Sequence, residues 1–372
     1  MGIMRKKQVA VIDVESSKIT AIVGEQGINK TFIIKAKYTY EYDGFSDGEF
    51  FDEEKLKAIL LDAVNKLSVV MRKNLHTVYV GVPAAFTNLI VKNSQISFPK
   101  KKRIIESDVD ALFDAAFVLG AEKDTLINRS AVVYELDDFR LLANPINSYS
   151  EILKGRLSFI VCKEYFMQKV VSVIKACGVN NVECISESLS RALYLLDAES
   201  RDRISVILDV GYISTTLSII QGDGIVFEKS FGYGGGYITA ALSEKFSLDF
   251  QVAEELKKKV NLCAISLSSS DYSEADDGSF YATEDVKNAV LKSLDMLCEN
   301  VSDTFDECAF SIPEYVPLLI TGGGISYLRG AKEHLSSRLE MPVKILTPSV
   351  PMMNSPSEAT LLSLLNLALE QN

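Results

Sequence analysis

The chain has 372 residues, with 39 Lys+Arg against 50 Asp+Glu, a formal net charge of −11, and 47% hydrophobic and 24% charged residues. This composition excludes a disordered chain and provides core enough for two or three domains. The acidic balance excludes a nucleic-acid binder, which needs a basic surface to neutralise phosphates.

The N-terminal stretch MGIMRKKQVAVIDVE carries basic residues, but Asp13 and Glu15 interrupt its apolar run before a signal peptide could form. Lys6 stands where a myristoylation motif takes Ser or Thr. No stretch reaches the ~18 apolar residues of a membrane span, so a cytoplasmic protein without a membrane helix is expected. The six cysteines (Cys162, Cys177, Cys184, Cys263, Cys298, Cys308) form no C-x-x-C pair and suit a reducing compartment. With only His76 and His334, neither a zinc site nor a histidine-based triad is expected.

Residues 8–14 (QVAVIDV) read as a buried strand, 15–18 as a turn and 19–25 as a return strand. Residues 52–71 have helical apolar spacing with Asp52 as N-cap. Tyr38, Tyr40, Tyr42 and Phe45 read as strand packing rather than a ligand stack. From 78 to 162 the grain changes. Strands are expected at 78–82 and 89–98, then a basic run Lys100–Arg103 read as a solvated loop or an acidic-partner contact, with Lys92 nearby. A helix capped by Ser107 and strands at 131–136 and 156–163 complete a small α+β module. A helix follows over 164–177, stopped by Gly178. The pattern then repeats: strand 203–210, turn 211–214, return 215–220, turn 221–224 and strand 225–231. Helices are expected at 251–260, 284–298 and 357–370, with a mobile Ser- and Asp-rich loop at 265–279. Both hairpins carry an Asp at the end of their first strand, Asp13 and Asp209, which suggests an internal duplication into two α/β halves.

Two glycine clusters follow strands, Gly232–Thr239 (GYGGGYIT) and Ile320–Ile325 (ITGGGI); glycine there permits close backbone approach to a phosphate or a flat ligand. The second cluster is expected to run straight into a helix. Turn N–H groups and hydroxyls can cradle phosphate oxygens, and two strand-end carboxylates can hold a hydrated Mg²⁺.

This layout resembles the actin-like ATPase superfamily and, over essentially the whole chain, its FtsA family of bacterial cell-division proteins. The resemblance lies in the opening VIDVESSKITAIVGE, the Asp/Gly-rich segment 43–48, the module inserted from about 82 to 162, Ala253–Lys257 (AEELK) and Ser357–Thr360 (SEAT). It implies an α/β, actin-like fold of two RNase H-like halves, with an FtsA-type α+β module inserted in the first half. The implied boundaries are 1–81, 163–202 and 345–372 for the first half's main subdomain and 82–162 for the module. The second half's main subdomain would be 203–227 and 299–344, with a small subdomain at 228–298. The resemblance implies ATP and Mg²⁺ as cofactors. Asp13, Ser16, Ser17 and Lys18 would form one phosphate loop, and Asp209, Gly211, Ser214 and Thr215 the other. Gly235, Gly236, Gly322, Gly323 and Gly324 would complete the nucleotide contacts, Glu254 and Lys257 would flank adenine and ribose, and Asp13 and Asp209 would hold Mg²⁺ through water.

The chain departs from the family pattern at Glu15, Tyr212 and Ile213, where glycines are expected, and at Thr216, where an Asp is expected. A carboxylate ~4 Å from a phosphate costs up to about 4 kcal/mol at an effective dielectric of 20, so weak nucleotide binding and slow or absent hydrolysis are expected. The helix 357–370 contains no Lys or Arg and is expected to pack in the core rather than on a membrane. The resemblance implies a scaffold that links a filament of FtsZ, the tubulin-like division protein, to the membrane or to other division proteins. It also implies self-association into filaments and recruitment to the inner membrane face at the division site. Alternatives are an actin-like pilus-assembly adaptor holding a peptide of a membrane protein, a pseudo-ATPase that binds no nucleotide, and, least favoured, a sugar kinase.

Overall fold

The computed structural model describes residues 7–27, 31–72, 75–117, 123–263 and 272–371. Two five-stranded sheets organise it. The first runs Asn181–Ser186, Thr77–Val82, Gln8–Val14, Lys18–Gln26, Phe32–Glu41; the second runs Val343–Ile345, Leu318–Thr321, Ser205–Val210, Thr215–Gln221, Gly224–Phe231. Counted along the chain within each half, both have the order 3-2-1-4-5, with strands 1-2-3 antiparallel and 1-4-5 parallel. The duplication expected from Asp13 and Asp209 is therefore a duplication of topology. Strand 1 of each half is central and reads as a near-continuous β-branched run because it is covered on both faces.

In the first half, helix Glu53–Met71 and the helical segment from Glu164 to Ala176 cover one face. Asp52 caps the former, accepting from Lys55 N at 2.9 Å. The latter contains a π turn at Met167–Val171, which periodicity alone did not show. Helix Ala359–Gln371 covers the other face, where Leu361, Leu364 and Leu365 meet Val9, Val11 and Ile22. It is a core helix, as its composition implied. Strand Phe32–Glu41 alternates half-buried and exposed residues along its length, in keeping with the strand packing expected of Tyr38 and Tyr40.

The segment between strands 4 and 5 of the first half builds a separate sheet in the order Thr87–Arg103, Tyr149–Cys162, Thr125–Leu136, Leu141–Leu142, backed by helix Glu106–Ala116. Two details differ from expectation. Lys100–Arg103 end the edge strand rather than forming a loop, with Lys102 paired to Asp108 at 2.8 Å. The helix cap is Ile105, whose N–H donates to Asp108 Oδ2 at 3.0 Å, and Ser107 lies in the first turn. In the second half, helices Gly235–Phe246, Phe250–Lys259 and Thr283–Asp306 sit between strands 3 and 4. The last is longer than expected. Of the loop expected at 265–279, residues 265–271 lie outside the described residues, and Tyr272–Glu274 pairs with Phe280–Ala282 as a hairpin. After Gly322–Gly324 the chain turns, and the next helix starts only at Ala331.

The module bridges both halves. Its Ser158 Oγ donates to Ile225 O at 2.7 Å, and Asp223 N donates to Ala131 O at 3.1 Å. The turn 221–224 fits there because Gly222, at φ +61°, brings its backbone against Val132 O, where a Cβ would overlap.

Candidate functional site

The C-terminal ends of strand 1 in both halves face one cleft. Its walls include Glu15, Ser16, Glu187, Asp209, Gly211 and Gly322. The two hairpin turns touch each other: Ile213 N donates to Ser16 Oγ at 3.2 Å, and Gly44, at φ +91°, lets the neighbouring chain pass against Ser16 O and Ile213 Cδ1. The remaining cavity is about 40 Å³. That is room for about three waters at 10–15 Å³ each, well below the roughly 300 Å³ of the smallest ordinary ligand pockets. A nucleotide enters this cleft only if it opens.

Four carboxylates crowd the cleft. Asp13 is fully buried with neither oxygen hydrogen-bonded, and burial, then the charge of Glu15, pushes it well above the ordinary carboxylate range. Glu15 pairs with Lys18 at 3.2 Å, yet burial pushes it up to about 7. Glu187, buried at the start of helix Glu187–Leu195, is raised by burial and by Asp13. Asp209 faces Arg191, whose Nη1 lies 3.0 Å from Asp209 Oδ2 and 3.7 Å from Glu187 Oε2. Neither Glu187 nor Arg191 stood out in the sequence; the signal was an i,i+4 acid–base pair on a helix that is otherwise buried.

The glycines pack on one another. Gly235 N donates to Gly211 O at 2.9 Å, Gly236 N to Tyr212 O at 2.7 Å and Gly324 N to Val210 O at 2.8 Å. A Cβ on Gly235 would overlap Gly324 O, and one on Gly324 would overlap Gly211 O. The amides expected to cradle a ligand thus serve the contact between turn, helix start and strand end. Thr215 Oγ1 donates to Tyr233 O at 2.6 Å, while Ser17 O accepts from Tyr42 N at 3.3 Å. Gly323 lies on the cleft wall near Ser357, and Ser214 also lines the cleft.

Glu254 and Lys257 come together on the far side of Tyr212. Lys257 is fully buried and donates to Gly235 O at 2.9 Å, Thr239 Oγ1 at 2.7 Å and Glu254 Oε2 at 2.7 Å, which uses all three ammonium protons. Its Nζ lies 5.4 Å from the Tyr212 ring centre and 5.7 Å from that of Tyr327. Tyr212 OH donates to Glu254 Oε2 at 3.2 Å. Lys257 is held as an internal cation here, so the expectation of a ligand-facing lysine is revised.

Comparison with known proteins decides the family likeness. The family model described as cell division protein FtsA matches residues 206–363. Cell division protein FtsA of Staphylococcus epidermidis is 21% identical over 363 residues, covering 95% of this chain and 77% of that protein. FtsA of Pseudomonas aeruginosa is 20% identical over 356 residues, covering 92% and 83%. The chain is similar to FtsA proteins. Solved structures agree on the actin-like fold. A chain of the PilM-PilN type IV pilus biogenesis complex superposes with a TM-score of 0.64 at 16% identity over 97% of this chain and 98% of that one. MreB 5 of Spiroplasma citri bound to AMPPNP superposes at 0.56 and 13% identity over 98% and 96%.

A water-held Mg²⁺ does not fit this FtsA-like cleft. Arg191 stands on Asp209 Oδ2, and the cavity lacks the volume for an ion that keeps several of its waters. Among the described residues, no three His, Cys, Asp or Glu side chains converge as a ligand set. No helix among the described residues is long and apolar enough to cross a membrane.

Proposed function

We propose that this FtsA-like protein is a cell-division scaffold that links a filament of FtsZ, the tubulin-like division protein, to other division proteins, with ATP as a weak ligand admitted only when the cleft opens. The observation that carries this reading is the placement of the four-stranded module after strand 4 of the first half, within two halves of identical 3-2-1-4-5 order. The crowded carboxylates and the Ser16–Ile213 contact account for weak nucleotide binding. In the closed cleft there is no room for a nucleotide beside an attacking water, so hydrolysis is slow or absent. Self-association and recruitment to the membrane at the division site belong to the same reading.

Co-sedimentation with polymerised FtsZ, alongside calorimetric titration with ATP, tests it. Saturable co-sedimentation with ATP affinity weaker than micromolar is expected. Failure to sediment with FtsZ sinks the scaffold role. A second reading, an adaptor holding an extended peptide of a membrane protein, draws on one observation. The module's open face carries a groove of about 500 Å³ lined by Gln95, Val133, Glu135, Lys154 and Arg156, with Arg156 stacked 4.8 Å over Phe310 of the second half. Peptide capture there without FtsZ binding would favour that adaptor.

A further inference from the structure

We propose that the guanidinium of Arg191 is the resident cation of the cleft, standing in the place of a divalent metal, so that the cleft takes up no Mg²⁺. The inference rests on reading this cleft as the nucleotide cleft of an FtsA-like fold, and it concerns that cleft's charge balance rather than its partner.

The local sequence delivers the charge. Ser186 caps helix Glu187–Leu195, its Oγ accepting from Leu189 N at 3.2 Å, and this fixes where the helix begins. Glu187 and Arg191 then fall one turn apart on the same face. Both side chains enter the space between the strand ends, and Arg191 keeps only 2% of its side-chain surface. Three elements hold it. Nη1 lies 3.0 Å from Asp209 Oδ2 of the second half and donates to Thr360 Oγ1 of the C-terminal helix at 2.8 Å. Nη2 donates to Ser188 Oγ at 3.3 Å on its own helix. A planar guanidinium held from several sides cannot swing aside for an incoming ion, as a lysine on its flexible stem could.

The chemistry of Mg²⁺ makes the two cations mutually exclusive. Mg²⁺ requires near-octahedral oxygen coordination at ~2.0–2.1 Å and gives up its waters reluctantly. Here Asp209 presents one oxygen to Arg191, and the cavity of about 40 Å³ cannot also hold the ion's water shell. An ion on the same carboxylate would also sit beside a fixed positive charge. Lys18, the other cation of the cleft, is paired with Glu15. Without Arg191, Glu187 and Asp209, which its guanidinium now lies between, would be left with no cation in contact. That is the donor chemistry a divalent ion seeks. On this proposal, removing the guanidinium frees those carboxylates to take a divalent ion in its place.

The test is a titration of the EDTA-treated full chain with MnCl₂, read by calorimetry and by the loss of the free Mn²⁺ electron-spin signal, without nucleotide. The wild type is expected to take up no stoichiometric Mn²⁺ and to melt identically in MgCl₂ and in KCl of matched ionic strength. Arg191→Ala is expected to bind one Mn²⁺, displaced by excess Mg²⁺, and to melt higher in MgCl₂ than in KCl. One Mn²⁺ per wild-type chain, lost in Asp209→Asn, overturns the proposal, as does a folded Arg191→Ala that gains no site. If Arg191→Ala does not fold without metal, refolding by added Mg²⁺ supports the proposal and failure to refold overturns it. ADP titrated with and without Mg²⁺ separates the two readings. No ADP binding removes the nucleotide reading while the Mn²⁺ result stands, whereas ADP binding that needs Mg²⁺ overturns the cation assignment alone.

Discussion

Lys257 shows how a side chain with ligand-binding chemistry can be used internally. Between the rings of Tyr212 and Tyr327, with all its protons donated, it is worth more to the fold than to a ligand. Breaking a buried ion pair from one side costs about 3–5 kcal/mol. Lys257→Ala is therefore expected to lower the urea midpoint by an amount comparable to a large core truncation. An unfolding free energy within ~0.5 kcal/mol of wild type would show that the ammonium faces the cleft after all. Glu228 gives a pH signature. Its Oε2 accepts from Thr87 Oγ1 at 3.1 Å where module and second half meet, while Oε1 is buried without a partner. Burial raises it above the usual glutamate value despite hydrogen bonds from Ser188 and Thr87. A raised carboxyl favours folding in its protonated form, so its contribution is full below about pH 4.5 and is lost as pH rises through the raised value. Glu228→Gln should keep the neutral form at every pH. Its melting temperature relative to wild type should rise between pH 5 and pH 8, and a difference that stays flat over that range counts against the assignment.

At the scale of elements, helix Ala359–Gln371 closes the first sheet. Gly24 and Gly81 matter here for a specific reason: a Cβ on Gly24 would overlap Leu365 Cδ1, and one on Gly81 would lie 2.5 Å from Leu364 Cδ1. Leu365→Ala removes a fully buried side chain from that contact and is expected to cost about 2–5 kcal/mol, read as a two-state urea curve. Gly24→Ala should destabilise by overpacking instead, and the double variant should recover part of the loss because the new methyl fills the space the leucine leaves. Additive losses would show that the two positions do not touch. Elements of this kind were largely legible. Strand Gln8–Val14 and the start of helix Glu53–Met71 at the Asp52 cap follow from β-branched runs and a capping residue, which are local. The end of helix Thr283–Asp306 and the π turn were not, because they answer to packing across the sheet.

At the scale of the molecule, what the sequence left hidden is how the halves meet. Asp13 and Asp209 could be placed at strand ends from local pattern. That Ile213 N would find Ser16 Oγ, or that Arg191 would cross to Asp209, depends on contacts between segments far apart in the chain. The glycines were read as ligand-binding because nothing local distinguishes an amide waiting for phosphate from one donated to a neighbouring carbonyl. Ile213→Gly removes the side chain that rests against the Gly44 turn. It is expected to widen the cleft and raise ATP affinity about tenfold, the equivalent of ~1.4 kcal/mol, in a calorimetric titration. An unchanged affinity would place the barrier to entry elsewhere.

The turn at Gly222 carries one more consequence. Because Asp223 N reaches Ala131 O and Ser158 Oγ reaches Ile225 O, the module acts as a strut pinned to the far half as well as rooted in the near one. The halves cannot swing apart like a plain clamshell. Opening must shear the strut along that seam, so the tilt of the module and the width of the cleft are a single mechanical coordinate.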